Sequence, residues 1–253
     1  MSKNTITTVA EFVARVADIK REQVTQDNKS DLLFRGQPYD KPLLPKLWRV
    51  RPRGKNLKIE KLEDLLFTKF NRDGLPFHEF EPKDDWDRLA LAQHHGLPTR
   101  LLDWTFSAPA ALWFTVRNSP QKMDDDGTRV EIGVVWVLCA NIKDFRLDTK
   151  NYGPFDNNSR APLIFRPKAI SRRILAQSAA FTIHRPIGKE LVALEKHPRY
   201  EKKLVKLIVP HSAFPSIRQE LHMFNANWKS LFPDLDGLCR HLSWRHTKLE
   251  DEP

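Results

Sequence analysis

The longest apolar run in the chain is IGVVWVLCA, residues Ile132–Ala140. It is far short of the roughly 20 residues that cross a bilayer as a helix, and its valine-rich make-up predicts a fully buried strand. A chain of 253 residues buries roughly 70–75% of its unfolded surface, so no disulfide or metal staple is required. Hydrophobic residues make up 40% and charged residues 29% of it, the balance of a soluble globular protein. Cys139 and Cys239 each sit in an apolar stretch, at no framework or metal-ligand spacing. They read as reduced core thiols of a cytoplasmic protein. The opening residues MSKNTITTVAEF lack the apolar segment of a signal peptide, and no membrane partner is expected.

Around that strand the hydrophobic pattern changes period repeatedly. Thr8-x-x-Glu11 reads as a capping box for a first helix, with Val9, Phe12, Val13 and Val16 on one face. Polar residues 25–31 lead into an opening strand at 32–35. A second amphipathic helix is predicted over 58–71, burying Ile59, Leu62, Leu65, Leu66 and Phe70. A third starts at Asp84 or Asp85 and stops at Gly96. SAPAALWFTVRN, 107–118, reads as a fourth, capped by Ser107 with Pro109 in its first turn. An acidic loop follows at 124–127, and 151–162 reads as a polar loop. Further strands are expected at Leu163–Phe165, 174–183 and 203–210, then a helix capped by Ser212. Asp234 and Asp236 form a turn before a last helix. There is no internal repeat, low-complexity tract or linker, so the chain reads as one mixed α+β domain over 1–253, a central β-sheet with flanking helices.

The formal net charge is +10, which suits a polyanionic partner such as a nucleotide, a nucleic acid or an acidic protein. The basic residues are spread out, with modest clusters at 49–53 and 199–206. The familiar phosphate-loop, dinucleotide-glycine, zinc-protease and nucleophile-elbow motifs are absent. Nine glycines in the whole chain make a glycine-rich phosphate cradle improbable. His94 and His95 are adjacent, and His241 and His246 are five apart, so neither pair has helical metal-ligand spacing and no metal is expected.

The densest stretch is LAQHHGLPTRLLDWTFSAPAALWFTV, 91–116: a helix, a proline turn, an extended segment at 99–105 and a new helix. Arg100 and Asp103 stand among Leu101, Leu102 and Trp104, and buried charges need partners. An Arg100–Asp103 or Arg35–Asp103 ion pair fixing the turn is one reading. The other is that Arg35, following LLF and preceding Gly36, meets an external phosphate, with the glycine letting backbone approach the ligand. Gln37 would face the same side if the strand continued. His94 and His95 end a helix, where the dipole favours imidazolium; they read as caps or core residues, or as a general acid or base. Thr99 and Thr105 suit backbone bonding at turns, and Trp104 and Trp113 suit core packing, or stacking on a base or nicotinamide ring.

FRGQ, PLLPKLWR, QHHGLPTRLLDWTFSAPAALWF, RRILAQSAAFTI and LFPDLDGL together resemble the FRG-domain family, in order from about residue 31 to 244. That likeness implies a single FRG domain with an N-terminal helix extension at 1–30, a core at 31–244 and a tail at 245–253. A second similarity is to ADP-ribosyltransferases of the Arg-Ser-Glu type. In those, an aromatic-Arg-Gly strand opens the NAD-binding half, and a Ser/Thr-rich strand and apolar helix support the nicotinamide ribose. A later strand brings a glutamate to the ribose hydroxyl. Phe34-Arg35-Gly36, Thr105-Phe106-Ser107 and RILAQSAAF, 173–181, resemble these elements, with Gln177 in the glutamate's place. A neutral amide positions a hydroxyl but supplies no charge to an oxocarbenium-like transition state.

The resemblance implies an ADP-ribosyltransferase-like fold and NAD as co-substrate, with transferase or NAD glycohydrolase activity in a toxin or phage-defence effector. Arg35, His94, His95, Asp103 and Gln177 would be catalytic. Arg35, Gly36, Gln37, Thr99, Arg100, Trp104 and Thr105 would contact the nucleotide, and a nucleic acid or protein would be the acceptor. Two rivals stand beside it: a non-catalytic module binding nucleotide or nucleic acid, and a partner-binding domain whose buried charges are internal pairs.

Overall fold

The computed structural model describes residues 3–24, 31–53, 57–77, 81–120, 131–146, 149, 151–156, 161–168, 172–185 and 191–252. Six strands form one antiparallel sheet: β1 (Asp31–Gln37), β2 (Leu101–Thr105), β3 (Ile132–Ala140), β4 (Leu163–Phe165), β5 (Ala179–Ile183) and β6 (Leu204–Pro210). Their order is β4-β5-β2-β1-β3-β6, so the apolar run is β3, between β1 and β6. The helices are α1 (Val9–Val24), α2 (Ile59–Asp73), α3 (Asp85–His94), α4 (Ala108–Val116), α5 (Arg172–Ala176), α6 (Phe214–Met223), α7 (Trp228–Leu231) and α8 (Leu235–His246). The chain is thus α+β. Among the described residues no helix is long and apolar enough to cross a membrane.

Strand alternation sorts side chains onto two covered faces. On one, Phe34, Val135, Val137 and Leu207 pack with α1, α4, α6 and α7 through Phe12, Trp113, Phe214 and Trp228. On the other, Leu33, Leu102, Trp104, Val134 and Leu138 pack with Leu43, Leu194 and Tyr200 from irregular segments. Trp86 and Leu89 of α3 pack on Leu101, Phe181 and Ile183.

The caps follow the sequence. Asp84 accepts from the Asp87 N–H, Ser107 from Ala110 and Asp234 from Gly237. Gly96 follows α3 with φ +83°, a left-handed stop. The Thr8 hydroxyl accepts from the Glu11 N–H, but the Glu11 carboxylate returns to Thr7 rather than Thr8.

Other expectations need correction. Residues 174–183 are not one strand: α5 occupies its start, and a turn through Ser178 at φ 46° intervenes before β5. Val13 and Leu65 are exposed, and the buried side chain of α2 is instead Glu63, because it has a buried cation to meet. Ser212 lies in a 3-10 turn and does not cap α6. Cys139 is buried but Cys239 is exposed on α8. The segment read as a tail folds back, where Asp251 and Glu252 pair with the buried Arg218. The polar residues 25–30 and the acidic loop at 124–127 lie outside the described residues.

β1 pairs with β3 along its length, from Asp31 opposite Ala140 to Gln37 opposite Val134. It meets β2 only at Phe34 opposite Thr105. Beyond that position β1 and β2 part. A Cβ at Gly36 would stand 1.8 Å from the Ala111 carbonyl oxygen, so this glycine lets the α4 backbone lie against β1. Gly36→Ala should therefore destabilise the fold by on the order of 3 kcal/mol, seen as a lower urea midpoint without added ligand.

The β2–β5 pairing carries a buried polar chain. The Trp104 indole N–H donates to the Thr182 hydroxyl at 3.0 Å, and that hydroxyl lies 2.8 Å from His184 Nε2. Burial lowers the His184 pKa to about 3, and His197 and Arg35 press the same way. An unfolded histidine titrates near 6.5. Acid thus favours the unfolded chain, which takes up the proton that the native ring refuses. Stability should fall by roughly 1 kcal/mol per pH unit from this ring as pH drops below 6.5 towards 3. Urea midpoints measured from pH 7 to 4 should show a shallower decline in His184→Gln.

Candidate functional site

Where β1 and β2 part, a cavity of about 370 Å³ opens, within the range of small-molecule sites. Phe34, Asp103, Thr105, Ala179 and Phe181 line it from the sheet. Gln93 and His94 come from the end of α3, Phe114 and Arg117 from the end of α4, and Arg173, Ile174 and Gln177 from α5 and the residue after it. Lys46 and Arg49, on the 3-10 turn Lys46–Arg49, close one side.

Arg35 spans the gap between the strands. Its Nη1 donates to the Asp103 carbonyl at 2.9 Å and stands 3.5 Å from the Asp103 carboxylate. Its Nε is buried without a hydrogen-bond partner. Burial lowers the guanidinium's pKa, with Asp103 opposing and Arg49 reinforcing that shift; the group stays charged. The internal Arg35–Asp103 pair exists, and it is built into the wall of a cavity.

Asp103 is held from its other side. The Gln93 Nε2 group lies 2.9 Å from each carboxylate oxygen. The Thr99 hydroxyl donates to Gln93 Oε1 at 2.6 Å and accepts from the Leu101 N–H. Those partners fix which end of the Gln93 amide faces Asp103. The result is a chain, Thr99–Gln93–Asp103–Arg35, running from the α3–β2 turn into the gap.

The structure brings Arg35, Gly36, His94, Asp103, Trp104, Thr105 and Gln177 to this cavity. Four other expected residues lie elsewhere. Arg100 forms a buried ion pair with Glu63 of α2, Nη2 to Oε2 at 2.5 Å, and packs over Phe155. Thr99 is buried behind Gln93. His95, in edge contact with His94, and Gln37 are outside the lining.

The placed residues also differ from expectation in detail. His94 is not the imidazolium favoured by a helix end: burial, then Arg173 and His95, lower its pKa to about 4, so it is a neutral ring at neutral pH. The Thr105 hydroxyl donates to the Gln177 carbonyl and accepts from the Ser107 N–H, fixing the step from β2 into α4. The Trp104 N–H is spent on Thr182. Gln177 sits in the turn before β5, and its amide donates to the Leu231 carbonyl at 3.0 Å.

Five lining residues with polar or charged side chains escaped the sequence reading as site candidates: Lys46, Arg49, Gln93, Arg117 and Arg173. Four of them stand in motif segments, PLLPKLWR, LAQHHG and RRILAQ, and Arg117 directly follows the apolar helix of LWFTVR. Nothing in their spacing shows that they converge. Among the described lining residues, five cations, including Arg35, face one carboxylate. No group of three His, Cys, Asp or Glu among the described residues is placed to hold a metal ion.

No curated protein and no solved structure matches the chain. Residues 30–124, which contribute Arg35, Gln93, His94, Asp103 and Arg117 to the cavity, match the family model of the FRG domain.

Proposed function

We propose that the cavity binds a nucleotide, NAD foremost, and that the protein is an ADP-ribosyltransferase-like enzyme, acting as a toxin or phage-defence effector. The observation that carries this reading is the make-up of the cavity. Arg35, Lys46, Arg49, Arg117 and Arg173 oppose the single carboxylate of Asp103, with Phe34, Trp104, Phe114 and Phe181 supplying aromatic surface. Guanidinium groups recognise phosphate through paired, charge-assisted hydrogen bonds, and aromatic surface suits a planar ring. The three elements of the transferase resemblance also adjoin in the sheet, since β5, β2 and β1 are consecutive neighbours.

In this reading the C–N bond between nicotinamide and ribose breaks, its electron pair leaving with nicotinamide. Asp103 offsets the positive charge that develops on the ribose. Gln177 orients a ribose hydroxyl through its remaining acceptor oxygen. An acceptor oxygen or nitrogen then bonds to the ribose carbon, and the neutral His94 takes its proton.

A second reading has its own observation. Gln177 brings no charge, and its amide is tied to the Leu231 carbonyl, which suits a module that binds nucleotide without turning it over. Calorimetry with NAD, together with nicotinamide release in the presence of protein and nucleic-acid acceptors, separates the two. For the enzyme, Asp103→Asn should retain NAD binding and lower nicotinamide release by on the order of 10²-fold. Arg35→Ala should also lower release per folded molecule, the folded fraction being measured alongside because the variant also removes the donor to the Asp103 carbonyl. Binding without release in the wild type favours the module; no nucleotide binding at all overturns both.

A further inference from the structure

Three guanidinium groups gather on one set of aromatic rings beside the cavity, and two of them, Arg117 and Arg173, line it. Arg117, just past α4, lies 5.8, 5.2 and 5.3 Å from the rings of Trp113, Phe114 and Trp228. Arg240 of α8 lies 5.0 Å from the same Trp228 ring, and Arg173 of α5 lies 3.9 Å from the Phe232 ring. Trp228 and Phe232 are 5.2 Å apart, so the three cations share one aromatic platform.

None of the three forms an ion pair with a carboxylate among the described residues, and Arg173 Nε is buried without a hydrogen-bond partner. Two arginines with little exposure, Arg100 and Arg218, are treated differently. Arg100 is paired with Glu63, and Arg218 with Asp251 and Glu252. Burial lowers the Arg117 pKa to about 10, with Arg173 and Arg240 adding to the shift. Asp234 and Asp103 act on Arg173 from beyond ion-pair distance and ring faces attract each cation, but no carboxylate among the described residues pairs directly with any of the three. The missing element is an anion. Arg117 and Arg173 both face the cavity, so the anion can be part of its ligand.

We propose that Arg117, Arg173 and Arg240 form the phosphate-binding end of the cavity and hold the diphosphate of the nucleotide. Arg35, whose charge is answered by Asp103, serves the ribose end. The identity of the nucleotide rests on the reading above; the phosphate site does not. The ligand class is therefore phosphorylated: a nucleoside lacking phosphate lacks the group that this end recognises.

Titration calorimetry at fixed ionic strength, with inorganic pyrophosphate, NAD and nicotinamide riboside, tests the assignment on the wild type, Arg117→Gln, Arg173→Gln and Arg240→Gln. Pyrophosphate should bind the wild type and raise its melting temperature. Arg117→Gln and Arg173→Gln should each weaken pyrophosphate and NAD by about tenfold or more, and Arg240→Gln by less, because that side chain is exposed. Nicotinamide riboside affinity should not change. Without ligand, Arg173→Gln should melt no lower than the wild type, since it removes a repelled cation. If the guanidinium groups serve only to pack on the aromatic rings, the variants will melt several degrees lower and their affinities will not move, which overturns the proposal. Failure of the wild type to bind pyrophosphate overturns it equally. Pyrophosphate binding without NAD binding removes the NAD reading and leaves the phosphate site standing. NAD binding indifferent to Arg117 and Arg173 does the reverse.

Discussion

Arg35 and Asp103 face each other where β1 and β2 cease to pair, and the cavity depends on that contact. Two parting strands leave backbone groups without ladder partners, which is costly when they are buried. Arg35 answers part of that cost by donating to the Asp103 carbonyl. Gln93 and Thr99 then hold the Asp103 carboxylate from the α3 side. The gap is thus a built feature, with a positioned charge pair where an ordinary antiparallel ladder would continue.

Elsewhere several buried charges are settled internally. Asp144, fully buried, is met by Arg199 and Lys203. Glu63 is met by Arg100, and Arg218 by the returning C-terminal residues Asp251 and Glu252. Such pairs cost desolvation and hold together because both partners are present. Around the cavity the pattern reverses, and cations gather on aromatic rings with one carboxylate among them. An excess of one charge in a concave, partly desolvated space focuses the field there and would draw an anion. The overall charge of +10 gains a location from this.

Local signals in the sequence were legible because they act over a few residues. Asp84, Ser107 and Asp234 cap the helices that follow them, Gly96 stops α3, and the valine-rich run is a central strand. Failures arose where a distant partner intervened. Leu65 lost its place in the core of α2 to Glu63 because Arg100 lies beneath that helix. Gly36 serves the approach of Ala111 from a helix some 75 residues later in the chain, a contact with no trace in the six residues around it. His94 is neutral despite its helix-end position, since burial and Arg173 outweigh the dipole.

The sequence alone placed Arg35 and Asp103 on extended segments among apolar residues, where buried charges need partners; the structure buries Arg35 but leaves the Asp103 side chain 55% exposed. The sequence left open whether Arg100 or Arg35 would meet Asp103, and whether any partner lay outside the protein. Tertiary structure decided the first. The order β5-β2-β1 puts Arg35 beside Asp103, while α2 brings Glu63 to Arg100. It also gathered Arg117, Arg173 and Arg240 from three separate helical segments onto one aromatic platform. Charge convergence of that kind depends on how the elements pack, which no local periodicity encodes.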